Sequence, residues 1–419
     1  MKFIHAADIH LDSPLRGLAS YEGAPVEEIR NASRRALDNL VELAIENKVD
    51  FVLIAGDLYD GDWRDHNTGL FFARQMSELR KADIPAFVIA GNHDAQNVMT
   101  KHLPLPDNVR QFGTRKPETF RLEDLGVAIH GQGFPTKAVT DDLTLNYPPV
   151  VPGLFNIGLL HTSLTGREGH DNYAPCTVDG LNRLGYDYWA LGHVHTRECV
   201  QADPPIWFPG NIQGRHIRET GPKGCLMVTV DGSGKPGVEF HELDVLRWED
   251  LIIDATEFRT DVDCTDEFQR RLSISLENAG GRTVALRVSI GGASAIHEAL
   301  AARPDDFRAA VHTVANDYGG GRVWVEKVKV LTRPVADTPA TDTTDAMSEL
   351  LRVVESLAAD EAALLELAGE FEPLASKLPP EFRDGADALP FMDTKYLAEV
   401  LGQVYPMLNA RLRRVEAQS

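Results

Sequence analysis

Short apolar runs alternate with helical patterns over the first half of the chain. Lys2–Ala7 reads as a buried strand, residues 50–56 (DFVLIAG) as a second and residues 84–90 (IPAFVIA) as a third, introduced by a proline. Between the first two, Leu37, Leu40, Val41, Ala44 and Ile45 fall on one face of a predicted helix over 31–47, with Asn31 or Ser33 placed to cap its start. Another helix is expected near 67–81, and further strands at 127–131, 155–160, 186–191 and 225–230. Such alternation implies an α/β fold with a parallel or mixed sheet and helices outside it.

From about residue 247 the pattern changes. Strand-like 250–254, 282–290 and 321–330 alternate with helix-like 265–278 and 305–316, which predicts a small α+β domain. Residues 332–345 (TRPVADTPATDTTD) have a linker composition. Helices are expected over 346–368 and 394–414, separated by the proline-rich stretch 374–390; Met347, Leu350, Leu351, Val354, Leu357 and Ala358 give the first an apolar face. The expected division is therefore 1–245, 246–331, a linker over 332–345 and a helical region over 346–419.

Bulk properties narrow the class. A chain of 419 residues exceeds one ordinary core. Its net charge of -21 argues against a generally basic nucleic-acid-binding surface, although a local basic strip can still hold phosphate. The four cysteines form no C-x-x-C pair, the N-terminus (MKFIHAADIH) has no export-type apolar region, and no apolar stretch approaches a membrane span. A cytoplasmic protein without a membrane segment is expected.

The chemistry lies in five short motifs, each behind an expected strand: D-x-H at Asp8 and His10, GD at Asp57, GNHD at residues 91–94, a lone His161, and GHVH with His193 and His195. Loops at the carboxyl ends of strands in an open α/β sheet converge on one rim. Carboxylate, amide oxygen and imidazole together suit manganese, iron or zinc better than calcium or magnesium. The ligand pattern predicts two divalent ions, with Mn2+, Fe2+ and Zn2+ all compatible. One would take Asp8, His10, Asp57 and His195; the other Asp57, Asn92, His161 and His193, with Asp57 bridging. Such a site stays positive, attracts phosphate and makes hydroxide available near neutral pH. His93 is left over from the ligand set. It is expected to stabilise transition-state charge or protonate the leaving oxygen, with Asp94 orienting it. Gly210, Asn211, Arg215 and Arg218 form a glycine-containing, basic stretch expected to contact substrate phosphate.

In that order, the motifs resemble the calcineurin-like metallophosphoesterases. FIHAADIHLDSPL, VLIAGDLYD, VIAGNHD, ALGHVH and FPGNIQGRHIRETGPKG are similar to the SbcD-type DNA repair exonucleases, the last most of all to their YhaO branch. The resemblance is strong over about 1–245 and weaker over 247–330. It implies a four-layer αββα sandwich, a smaller α+β capping domain and a manganese pair. It also implies DNA as substrate, homodimers, and an SbcC-like coiled-coil ATPase bound through the C-terminal helices. Asp60 stands where some relatives have a histidine. Two other readings remain open from the sequence: a nucleotide or cyclic-nucleotide phosphodiesterase, and a DNA-end-binding scaffold with little catalysis.

Overall fold

The structure is a computed structural model that describes residues 1–13, 26–60, 66–96, 105–166, 172–335, 346–375, 377–378, 389–398, 400–402 and 404. The chain divides into two compact units, one running to Trp248 and the other from Glu249 onward.

In chain order the first unit contains β1 (Lys2–Ala6), α1 (Val26–Glu46), β2 (Phe51–Ala55), α2 (His66–Lys81), β3 (Ala86–Ile89) and β4 (Val109–Gln111). There follow β5 (Glu118–Leu122), β6 (Val127–Gly131), β7 (Phe155–His161), α3 (Val178–Arg183) and β8 (Tyr188–Gly192). The unit ends with β9 (Glu198–Ala202), β10 (Pro205–Phe208), β11 (Gly224–Val230) and β12 (Pro236–Glu242). Among the described residues these strands form two six-stranded sheets, ordered β12-β11-β1-β2-β3-β4 and β5-β6-β7-β8-β10-β9. The centres of both are parallel: β1, β2, β3 and β4 in one, β6, β7, β8 and β10 in the other.

The central strands are apolar on both faces because each face meets a different layer. In β2, Val52 and Ile54 enter a core shared with α1 and α2, while Phe51, Leu53 and Ala55 enter the core between the sheets. The same alternation divides Ala86 and Val88 from Phe87 and Ile89 in β3. A third core, with Leu181 of α3, Leu160 and Trp189, covers the outer face of the second sheet. The layers are therefore α, β, β and α, as the family resemblance implies. Leu53 is fully buried, and Leu53→Ala would cost about 2–5 kcal/mol.

α1 starts at Val26, five residues before the predicted start. Ile29 extends its buried face, Glu27 and Glu28 complement the positive end of the helix, and Ser33 is spent within it. Neither Asn31 nor Ser33 is a cap; the Ser33 hydroxyl instead accepts the backbone N–H of Asp12 at 3.1 Å.

The second unit begins within β13 (Leu246–Asp254), followed by α4 (Asp261–Asn278), β14 (Thr283–Ala293), α5 (His297–Ala302), α6 (Pro304–Gly319) and β15 (Val323–Arg333). Its sheet has the order β13-β14-β15, with β14 and β15 parallel. Phe268, Leu272, Phe307 and Val311 pack on Val284, Leu286, Val288 and Ile290 of β14. α4 starts at Asp261 rather than 265 because Thr260 and Asp263 close a capping box ahead of the apolar face.

Two further helices follow, α7 (Ala346–Ala359) and α8 (Glu361–Ala375). The single helix expected over 346–368 is broken at Asp360, whose carboxylate accepts the N–H groups of Ala362 and Ala363 at 3.0 and 3.2 Å and starts a new helix. α8 runs past the predicted end to Ala375, into the proline-rich stretch. Leu364 and Ala368 pack with Leu397. Most of the helix expected over 394–414 lies outside the described residues. Among the described residues no helix is long and apolar enough to cross a membrane.

Candidate metal centre

The loops after β1, β2, β3 and β8 carry Asp8, Asp57, Asn92 and His193, His161 ends β7, and the packing of the two sheets against each other brings these strand ends together. Asp8, His10, Asp57 and His193 all have positive φ, of 50°, 45°, 49° and 103°. L-residues adopt this region at a cost that surrounding structure must offset, and it clusters at functional sites. The backbone N–H groups of Asp8 and His10 donate to the carbonyls of Gly56 and Asp57 at 3.1 and 3.0 Å, which holds the first two loops together. Gly56 and Gly91 permit the close approach. A Cβ on Gly56 would lie 2.4 Å from His161 Nδ1, and one on Gly91 would lie 2.3 Å from Asp57 Oδ1.

Among the described residues, ligand-type atoms gather in three groups: Asp8, His10 and His195; Asp57, His161 and His193; and His10, Asp60 and His93. Asp57 Oδ2 lies 4.0 Å from His10 Nε2 and 3.5 Å from His161 Nε2, so one carboxylate faces the first two groups. Asn92 joins the second, its side-chain oxygen 2.9 Å from His161 Nε2. The Asp8 carboxylate accepts the His193 backbone N–H at 3.1 and 3.0 Å, and Asp8 Oδ1 lies 4.0 Å from His195 Nε2. All seven sequence-predicted ligands therefore meet.

Donor chemistry shows that cations fit here. His161 Nδ1 is 2.9 Å from the Ala55 carbonyl, which only accepts, so that nitrogen carries the proton. Its Nε2 then points a lone pair at the Asp57 and Asn92 oxygens, an arrangement stable only with a second proton or a cation between them. Without a cation the proton takes that role. Burial pushes His161 down, but the charge of Asp57 and its hydrogen bond prevail and raise it to about 9. Burial, ahead of its charged neighbours, pushes Asp8 up to about 7. Burial opposes charge on Asp57 too, yet His161 beside it holds that carboxyl well below the usual range. His10 Nε2 meets His195 Nε2 at 3.1 Å, and His10 Nδ1 is buried with no hydrogen-bond partner. Two imidazole nitrogens meeting beside buried carboxylates make a ligand set for a divalent ion.

His93 is oriented by Asp60, not by Asp94. Its Nδ1 lies 2.9 Å from Asp60 Oδ1. The Asp94 carboxylate instead accepts the N–H groups of Leu58, Tyr59 and Gly91 at 3.1, 2.9 and 3.0 Å, so it braces two site loops. An Asp directly after His on a tight loop points away from it, which adjacency in sequence conceals. Burial disfavours charge on His93, but the Asp60 bond and the charges of Asp57 and Asp60 outweigh it and raise its pKa.

The predicted phosphate-contact stretch divides. Gly210 packs where a Cβ would lie 2.8 Å from the His195 carbonyl, so it is framework. Asn211 is fully buried and spends its amide N–H groups on the Gln213 carbonyl and Glu219, which removes it from substrate contact. Arg218 is exposed. Arg215 lies inside the site, its guanidinium 2.9 Å from Glu219 Oε1 and 3.6 Å from Asp60 Oδ2. The structure thus adds Glu219, and gives Asp60, marked in the sequence only as standing where some relatives have a histidine, a role in holding His93.

Fold and site together define a mixed α/β sandwich whose strand ends gather metal-ligand-type side chains. Residues 1–197 match the family described as calcineurin-like phosphoesterase. Residues 248–333 match the family described as metallophosphoesterase YhaO, middle domain. Over 261 residues the chain is 38% identical to the uncharacterized metallophosphoesterase YhaO of Bacillus subtilis, covering 61% of this chain and 64% of that protein. Over 273 residues it is 26% identical to the DNA double-strand break repair protein Mre11 of Methanopyrus kandleri, covering 58% of this chain and 57% of that one. The chain thus spans less than two thirds of either relative's length. A solved dimetal phosphatase from Danio rerio is similar with a TM-score of 0.35 and 10% identity, covering 57% of this chain and 98% of that chain.

Proposed function

We propose that this chain is a metal-dependent DNA nuclease that hydrolyses phosphodiester bonds. The observation that carries the reading is the meeting of seven ligand-type side chains around Asp57, with His93 beside them but committed through Nδ1 to Asp60. Asp8, His10 and His195 would hold one divalent cation and Asn92, His161 and His193 the other, with Asp57 shared. Two such cations supply positive charge for phosphate oxygens and acidify water. Mn2+ is the ion we favour, on the mixed oxygen and nitrogen donor set.

The chain's own groups do the remainder. Asp60 fixes the His93 ring and favours its protonated form, which leaves Nε2 to hold a proton for the departing oxygen. Asp94 keeps the loops after β2 and β3 in register. Arg215 places a cation beside the ligands. DNA as substrate draws support from the Methanopyrus relative, a DNA double-strand break repair protein. Cytoplasmic location, homodimers and an SbcC-like ATPase partner belong to the same proposal. For that partner, half-buried Leu350, Val354 and Leu357 of α7 offer an apolar stripe beside exposed Val353.

The test offers manganese-loaded protein linear duplex DNA, single-stranded DNA, a cyclic nucleotide and a chromogenic diester, with and without the ATPase. Cleavage of DNA above the small diesters is expected. Turnover of the cyclic nucleotide alone would move the protein to the nucleotide phosphodiesterases. DNA binding without any hydrolysis would make it an end-binding scaffold.

A further inference from the structure

Glu219 lies outside the ligand motifs and is 5% exposed. Its Oε1 lies 2.8 Å from His195 Nδ1 and 2.9 Å from Arg215 Nη2. Its Oε2 accepts the Asn211 amide at 2.9 Å and the Arg215 backbone N–H at 2.8 Å. An ionised carboxylate only accepts, so each neighbour must bring a hydrogen. Burial opposes its charge, but Arg215 first and His195 next hold it well below the usual carboxylate range.

The consequence falls on the His195 ring. Arg215 Nη2 also lies 3.2 Å from His195 Nδ1 and could donate to it. That choice would set a ring lone pair against Glu219 Oε1 at 2.8 Å. With the proton on Nδ1, the ring donates to the carboxylate and Arg215 donates to the same oxygen, so both short contacts are satisfied. The lone pair of neutral His195 is then on Nε2, the atom 3.1 Å from His10 Nε2.

We infer that Glu219 is a positioning residue: it fixes His195 in its Nδ1–H tautomer, aims Nε2 into the centre and moors Arg215 beside it. The metal part of this role rests on the function proposed above for His195. A carboxylate behind an imidazole ligand orients the ring and raises its basicity. The same carboxylate also anchors a charged chain, because Arg215 Nη1 reaches Asp60 Oδ2 at 3.6 Å and Asp60 holds His93. Glutamine cannot replace Glu219 without loss. Both oxygens face donors, so an amide NH2 at either place meets another N–H.

The experiment uses the full chain with 15N-labelled histidine. Long-range proton–nitrogen spectra of the metal-free protein read each tautomer directly, with His195 assigned by the signal lost in His195→Gln. Wild type is expected to show a proton on Nδ1 of His195, and Glu219→Gln to move it toward Nε2. Manganese titration followed by electron paramagnetic resonance should then show one ion bound about 10–100-fold more weakly in Glu219→Gln and the other unchanged. A wild-type proton on Nε2 would overturn the inference, and that reading stands even if the variant fails to fold. An unchanged tautomer with unchanged manganese affinity in a folded Glu219→Gln would overturn it as well. A chain with the expected tautomers that binds no manganese would refute the proposed function and uphold the role of Glu219 in setting His195.

Discussion

In the sheet of the second unit, Arg287 and Glu326 have side chains only 5% exposed and meet through two hydrogen bonds of 2.9 and 2.8 Å. At the strand ends of the first unit, Asp8, Asp57, His10 and His161 are at least as deeply buried, but their partners do not match in this way. Two carboxylates share a cluster of imidazoles, His10 Nδ1 has no hydrogen-bond partner, and His161 faces oxygens on both sides of its ring. A matched buried pair is complete as it stands, and its role is to hold a sheet. An unmatched cluster costs stability unless something else binds, and the backbone strain at Asp8, His10, Asp57 and His193 adds to that cost. The difference separates a structural ion pair from a binding centre.

Asp57→Asn attacks the comparison hardest, because it removes the carboxylate that faces both ligand groups. It should abolish turnover and bring metal content, measured by elemental analysis, below two ions per chain. His93→Ala should keep both ions and lose about 100- to 10,000-fold in turnover. Asp60→Asn should lose less, because it releases the ring without removing it. Metal loss in His93→Ala would show that His93 is a ligand.

Arg287→Ala probes the matched pair. It leaves Glu326 buried and unpaired and should cost about 3–5 kcal/mol in urea unfolding of the second unit. Turnover per folded molecule should not change. The double change Arg287→Met with Glu326→Leu should come close to neutral, since it removes both charges together. Arg215→Ala should slow DNA and a chromogenic diester alike. Its side chain is 16% exposed and lies against the ligand shell. Loss on DNA alone would return it to substrate contact.

The smallest effect is one of pH. In metal-free protein, His161 is raised from 6.5 to about 9 and His93 is raised as well. Between those values the native state binds more protons than the unfolded chain, so stability should fall as pH rises from 6.5 toward 9. Manganese should flatten that slope by taking the place of the His161 proton. A slope unchanged by metal would mean that the ion binds elsewhere.

Much of this centre is legible in the sequence because its ligands sit in short motifs immediately after buried strands. The central strands are equally plain, since β2 and β3 are apolar on both faces. The edge strands β5, β9 and β12 are half exposed and carry no continuous apolar run, so nothing marks them. Asp60 is marked in the sequence only as replacing a histidine of some relatives, and its role shows only where the fold sets it against His93. Glu219 reaches His195 across 24 positions, because β9 and β10 pair and return the chain to the site. No local spacing encodes that contact. The position of Asp94 fails for the opposite reason, since adjacency to His93 says nothing of side-chain direction.

The most direct test of the account is anomalous diffraction at the manganese edge from crystals grown with the ion. Two peaks are predicted, one among Asp8, His10 and His195 and one among Asn92, His161 and His193, with Asp57 between them. A map with no peak among these side chains would contradict the account.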